Sequence, residues 1–220
     1  MLLVHGMILM RDNERIRGAS MTETQQQFTW LDWMFVWIWW VFLNSAAWAV
    51  SWAVEIIGLL LVGVVVGFAQ RIILRNFLPK TRAWVIVTGI VLGIALPSSM
   101  FMFFMVDMMN VNQSVPVGLV NIHQAAPVGA VTGAFVGFAQ RLVLYNHIEG
   151  ARWWTPFSIL GLSAGFYLGM LTFYQVFAGS GSVLYNALVG AIIGAVYGVF
   201  TGIGLVLMLQ EGPESDAANE

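Results

Sequence analysis

Two Gln-Arg pairs stand out in this 220-residue chain as residues whose type and spacing could do chemistry: Gln70-Arg71, with Arg75 one helical turn beyond, and Gln140-Arg141. A carboxamide beside a guanidinium can hold an anion or an anionic lipid headgroup in an inner vestibule. The same arginines also suit snorkelling, in which a long stem covers apolar surface while the cation reaches phosphate and complements the helix C-terminus. A second set, Glu55, Asp107, Asn121 and His123, would make an outward-facing site. Three of its members lie in the polar stretch Asp107 to Pro127, which carries Asn110, Asn112, Gln113 and Gln124 but no positive charge. Long connections are uncommon unless functional or flexible, and a solvated cap over the molecule is the plainer reading of this one.

Other patterns carry less. Met100, Met102, Met105, Met108 and Met109 crowd one region. Thioethers suit Cu(I), but methionine is also a common filler of irregular apolar gaps, and no metal site is assigned. Gly161-Leu162-Ser163-Ala164-Gly165 matches a GxSxG nucleophile pattern, which needs a strand-to-helix elbow, whereas Ser163 sits inside a long apolar run with no histidine in a position to activate it. There is no HExxH, Walker A or dinucleotide fingerprint. With no cysteine in the chain, disulfides, thiolate metal sites and cysteine nucleophiles are excluded. No catalytic residue and no cofactor is assigned.

The elements that must position these residues are set by composition. Fifty-nine percent of residues are hydrophobic and only 9% charged, with a mean hydropathy of +0.81, far from the roughly one-quarter charged residues of a soluble domain. Short polar breaks separate six apolar spans: Leu31 to Ala53, Val54 to Leu74, Ala83 to Val106, Val128 to Tyr145, Trp153 to Val176 and Val183 to Leu209. Each approaches the ~17–25 residues that a helix needs to cross the hydrocarbon core, and their continuous apolarity excludes alternating barrel strands. The expected class is an all-α, polytopic membrane protein with six transmembrane helices.

All nine basic residues fall in the N-terminal tail (Arg11, Arg15, Arg17), in Arg71 to Arg82, and at Arg141 and Arg152. By the positive-inside rule these segments and both termini face the cytoplasm, as in a bacterial inner membrane. Residues 1–30 form the N-terminal tail, 31–209 the membrane domain and 210–220 an acidic C-terminal tail. Met1 to Met10 is apolar but precedes its arginines, the reverse of a signal peptide's order. Met21 therefore reads as a plausible start, with residues 1–20 a poorly packed extension. No basic nucleic-acid surface is present.

Residues 63–74 (GVVVGFAQRIIL) and 133–144 (GAFVGFAQRLVL) share eight of twelve residues at an offset of seventy, which also relates Asn76 to Asn146 and Trp84 to Trp154. A weaker third copy occupies 194–205 (GAVYGVFTGIGL). The repeats suggest three helical hairpins, 31–74, 83–145 and 153–209, in a quasi-symmetric bundle about an axis along the membrane normal. Gly63 and Gly67, then Gly129, Gly133 and Gly137, then Gly190, Gly194 and Gly198 recur every four residues. Small residues allow close helix contact in lipid, so the even-numbered helices are expected to line a central contact. Pro97 predicts a kink. The tryptophans, Trp30, Trp33, Trp37, Trp40, Trp84, Trp153 and Trp154 on one side and Trp48 and Trp52 on the other, are expected to form interfacial belts.

A glycine-spaced helix ending in Gly-Phe-Ala-Gln-Arg, then a basic loop, then Trp154 after Trp153, resembles a group of uncharacterised bacterial multi-pass membrane proteins with repeated GxxxGxxQ-type helices. The resemblance spans residues 58–205 at most, and it departs from that pattern at Arg71 and Arg141, where many of those proteins carry Trp. It implies a membrane-embedded helical fold and no particular activity.

Transporters usually place ionisable groups inside their helices, and no span here has a charge near its centre. The expected function is therefore non-catalytic: an accessory or scaffold subunit whose partners are the lipid bilayer and other membrane protein subunits, with no nucleic acid. The alternative is a small channel or carrier for a neutral solute, anion or lipid, which would need a polar lining.

Overall fold

A computed structural model describes residues 29–78, 81–109, 122–145, 147–148, 150–176 and 182–210. Among them are six long helices: α1 (Trp30–Ala53), α2 (Glu55–Leu74), α3 (Thr81–Met109), α4 (Ile122–Leu144), α5 (Trp154–Val176) and α6 (Val183–Gln210). One turn of 3-10 helix, Ala151–Trp153, leads into α5. No strand occurs among the described residues, and all six helices are long and apolar enough to cross a membrane.

The chain divides into two units, Met1–Asp32 and Trp33–Glu220. In the first, the Asp32 carboxylate accepts from the Thr29 backbone N–H at 2.8 Å and from its hydroxyl at 2.7 Å, while the Asp32 N–H reaches the Thr29 hydroxyl oxygen at 3.4 Å. This reciprocal cap satisfies donors that the first turn of α1 would otherwise leave free.

Within the second unit, a single residue, Val54, separates α1 from α2. Gly58 permits the reversal, because a Cβ there would run into the Ser51 carbonyl. At the far ends of α3 and α4 the helices outrun their expected spans: α3 continues to Met109 and α4 begins at Ile122. Asp107 and His123 thus belong to helices, which corrects the reading of Asp107 to Pro127 as one loop. Pro127 lies inside α4, where it removes one bond of the hydrogen-bond ladder. Pro97 lies inside α3, where the Ser99 hydroxyl binds the Leu96 carbonyl at 3.0 Å and the Thr132 hydroxyl of α4 at 2.8 Å.

The glycine rows mark three close seams. A Cβ on Gly63 would stand 2.5 Å from the Thr88 carbonyl oxygen, and one on Gly67 would stand 3.2 Å from the Val85 Cα, so α2 lies tight on α3. Gly133 would stand 2.5 Å from the Ser158 carbonyl oxygen and Gly137 3.0 Å from the Thr155 Cα, with Gly129 against Leu162, so α4 lies tight on α5. Gly190, Gly194 and Gly198 do the same against Trp48, Asn44 and Val41, bringing α6 onto α1. The glycines therefore face the odd-numbered helices and not one another, which corrects the expectation that the glycine rows form the central contact; the even-numbered helices meet there through Gln70, Gln140 and Tyr197 instead. A glycine row serves whichever helix approaches its smooth side, and Gly161 and Gly165 of α5, against Tyr197 and Ile193, extend the ring to α6.

The interior is filled by two apolar clusters. One contains Trp48, Val62, Val66, Leu92, Leu96, Val136, Leu162, Phe166, Ile193 and Tyr197. The other contains Trp40, Leu74, Leu78, Trp84, Leu144, Ile148, Trp154, Leu205 and Met208.

Candidate functional site

Between the clusters lies a layer of polar side chains, one from each helix. Each is flanked along its helix by a residue of one cluster on one side and of the other cluster on the other: Gln70 by Val66 and Leu74, Gln140 by Val136 and Leu144, Thr201 by Tyr197 and Leu205. On the odd-numbered helices Asn44 follows Trp40 and precedes Trp48, Thr88 lies between Trp84 and Leu92, and Ser158 between Trp154 and Leu162. All six polar residues are fully buried.

The layer is knit by indole donors. The Trp84 Nε1–H donates to Gln70 Oε1 at 2.9 Å, that of Trp154 to Gln140 Oε1 at 2.8 Å, and that of Trp40 to the Thr201 hydroxyl at 3.0 Å. The carboxamide N–H groups then reach the neighbouring pair of helices: Gln70 Nε2 donates to Asn44 Oδ1 at 2.9 Å and Gln140 Nε2 to the Thr88 hydroxyl at 2.9 Å. Gln140 Nε2 also approaches Gln70 Oε1 at 3.3 Å, and the Tyr197 hydroxyl donates to Gln140 Oε1 at 3.3 Å. Asn44 closes its own turn through a 2.8 Å bond to the Trp40 carbonyl. Three tryptophans roof the layer, with Trp84 and Trp154 edge to face at 5.5 Å and Trp40 and Trp154 at 6.0 Å.

This geometry revises several expectations. Trp40, Trp84 and Trp154 are fully buried core residues, not members of an interfacial belt, because their N–H groups have acceptors inside the bundle; Trp48 is buried too, against Phe166. Trp30 at 71% and Trp153 at 49% exposure remain on the outside. The vestibule set divides. Gln70 and Gln140 point into the sealed core, whereas Arg71 and Arg141 are half-buried and Arg75 is exposed. Successive residues on a helix diverge by about 100° at 3.6 residues per turn, so Gln and Arg in neighbouring positions cannot share one chamber here. Arg71 instead donates its Nε–H to the Thr81 hydroxyl at 3.2 Å.

Of the outer set, Glu55 heads α2, Asp107 lies near the end of α3 and His123 near the start of α4. Their side chains, and the whole of Asn121, lie outside the described residues. The methionines diverge: Met100 packs on the core, while Met102 and Met105 face outward. Ser163 donates to the Ala126 carbonyl of α4 at 3.1 Å, a helix-to-helix contact.

The Trp and Gln layer was the part missed. Its signal was in the repeat: Trp84 and Trp154 each follow their Gln by fourteen residues, and each of Trp40, Trp84 and Trp154 has a hydrogen-bonding side chain four residues on.

Chemically, the layer is neutral and its amides and indoles bind one another. In lipid such bonds hold helices together, and buried bonds of this kind rigidify the packing; the Ser158 hydroxyl is the one member of the layer without a partner among the described residues.

Fold and core together define a class, the helical multi-pass membrane protein. Comparison of the chain with protein-family profiles, with curated proteins and with solved structures finds no match.

Proposed function

We propose that this chain is a non-catalytic integral membrane protein that serves as an accessory or scaffold subunit of a larger membrane assembly, in a bacterial inner membrane with both termini cytoplasmic. The observation that carries this reading is the polar layer. Its six residues are fully buried and uncharged, five of them are hydrogen-bonded while the Ser158 hydroxyl has no partner among the described residues, and apolar clusters close the layer off on both sides. A transport path would need polar groups free to meet a solute, and a catalytic centre would need a nucleophile or an acid–base pair within reach of substrate.

The same layer supports a quasi-threefold architecture, with a register that differs from consecutive hairpins. The repeating unit is an even-numbered helix with the odd-numbered helix packed on its glycines: α2 with α3, α4 with α5, and α6 with α1. Gln70, Gln140 and Thr201 occupy equivalent positions, as do their donors Trp84, Trp154 and Trp40. The first helix thus completes the last repeat and closes the ring. Thr201 is shorter than glutamine, and the Tyr197 hydroxyl reaches the Gln140 carboxamide in that third sector. Such a glycine-packed ring keeps its polar groups inside and offers apolar faces outward.

Extraction from native membranes into lipid nanodiscs, followed by native mass spectrometry, tests the assignment. The expected species is a stoichiometric complex with at least one other membrane subunit. Recovery solely as a monodisperse single chain, with solute flux in reconstituted vesicles, would replace the scaffold reading with the carrier alternative.

A further inference from the structure

We infer that the protein carries two equivalent binding sites for the phosphate group of an anionic lipid, one formed by Arg71 with Arg82 at the α2/α3 seam and one by Arg141 with Arg152 at the α4/α5 seam. In each pair the residues are eleven apart, and the pairs are related by the same offset of seventy that relates the two clearest sequence copies. The first member lies near the C-terminal end of a helix and the second just before or at the start of the helix packed on it. The Arg71 bond to Thr81, at 3.2 Å, draws that guanidinium to the residue next to Arg82. At the second seam, the 3-10 turn that carries Arg152 packs against α4, which carries Arg141. Arg152 there rests over the exposed ring of Trp153 at 5.9 Å.

Among the described residues these cations have no carboxylate partner. No Asp or Glu lies between Glu55 and Asp107, and Glu149, outside the described residues, is alone between Asp107 and Glu211. None of Arg71, Arg82, Arg141 and Arg152 makes an ion pair among the described residues. Guanidinium forks match phosphate oxygens two at a time, and cations at the edge of the hydrocarbon are drawn to anionic headgroups. Acyl chains would have apolar ground beside them: Phe68 and Ile72 on α2, and their counterparts Phe138 and Leu142 on α4, are all exposed.

The third seam is a built-in control. At the position of Arg71 it has Gly202, and at that of Thr81 it has Trp37, whose indole lies directly over that glycine. Ile38 stands where Arg82 and Arg152 stand in the other seams, so no site exists there.

Binding is tested on the full chain in neutral detergent by native mass spectrometry, with phosphatidylglycerol, phosphatidylcholine and inorganic phosphate as separate probes. The wild type is expected to retain two phosphatidylglycerol molecules in preference to phosphatidylcholine. The double variants Arg71→Gln/Arg82→Gln and Arg141→Gln/Arg152→Gln should each retain one, with affinity at the altered seam reduced roughly thirtyfold. Lysine at the same positions should restore part of the loss, which separates charge from misfolding. If inorganic phosphate binds with the same dependence on the pairs and competes with the lipid, the two phosphate sites stand and the ligand is the soluble ion. Equal retention in all variants, or a loss of the same size from Arg75→Gln alone, would overturn the paired sites. The lipid count is read independently of subunit retention, so this inference and the scaffold reading can fail separately.

Discussion

Gly133→Leu is expected to abolish recovery of a monodisperse bundle. At Gly133 even the first added carbon would come within 2.5 Å of the Ser158 carbonyl oxygen and 2.8 Å of the Ile159 Cα. Both are backbone atoms of a continuous helix, so they cannot swing aside as a flexible side chain could, and α4 and α5 must part. Overpacking by a methylene or so typically costs ~1–3 kcal/mol, and a leucine adds three further carbons along the same seam. The displacement also moves Ser158 and Trp154, and with them the acceptor geometry of Gln140. Gly93→Ala is the milder comparison, since its Cβ would stand 3.1 Å from the Leu60 carbonyl oxygen with no other close atom. Size-exclusion profiles and thermal unfolding followed by intrinsic fluorescence read both variants. Wild-type yield and midpoint in Gly133→Leu would mean that the seam is not close-packed.

The second large effect is expected at Gln140, the hub of the polar layer. It accepts from Trp154 and Tyr197 and donates to Thr88 and Gln70. Gln140→Leu has a compatible size but strands the buried Trp154 N–H, and a buried donor left without an acceptor costs ~1–3 kcal/mol. Hydrogen bonds between membrane helices average only about 0.6 kcal/mol when measured by double-mutant cycles, but this substitution removes several at once. A loss of roughly 2–4 kcal/mol follows, or about 6–12 °C in midpoint for a chain of this size. The double variant Gln140→Leu/Trp154→Phe removes donor and acceptor together and should recover a substantial part of that loss. A double variant no better than Gln140→Leu would show that the Trp154 bond does not carry the effect.

Which of these features the amino-acid string disclosed follows from the kind of signal each one leaves. The helix bodies were legible because lipid demands long apolar runs, and the six spans agree with the six helices to within a few residues at most ends. The ends that moved were Met109 and Ile122, where Asp107, His123 and Pro127 look like loop residues by composition but still sit in helical backbone. Glycine spacing correctly marked close approach, yet spacing along one helix does not name its neighbour. The Trp residues misled for a related reason. An indole at a span end suits the interface whenever its N–H meets water; for Trp84, Trp154 and Trp40 the buried acceptors Gln70, Gln140 and Thr201 favour the core, whereas Trp48 is buried by packing on Phe166 with its N–H unpaired among the described residues. Those acceptors come from other helices, so no single window of sequence contains the pair. The offset of seventy did hold that information, as Gln70 with Trp84 and Gln140 with Trp154, but the third partnership, Thr201 with Trp40, joins opposite ends of the membrane domain.

The account rests on six helices crossing a bilayer with every arginine-bearing connection on one face. The natural absence of cysteine allows a direct measurement: single cysteines placed at Arg75, Tyr145, Val54 and Ser182, each exposed in the fold, and labelled with a membrane-impermeant maleimide in intact cells and then in inverted vesicles. Cysteines at Val54 and Ser182 should label only from outside, and those at Arg75 and Tyr145 only in inverted vesicles. Labelling of Arg75→Cys and Ser182→Cys from the same side would contradict the account.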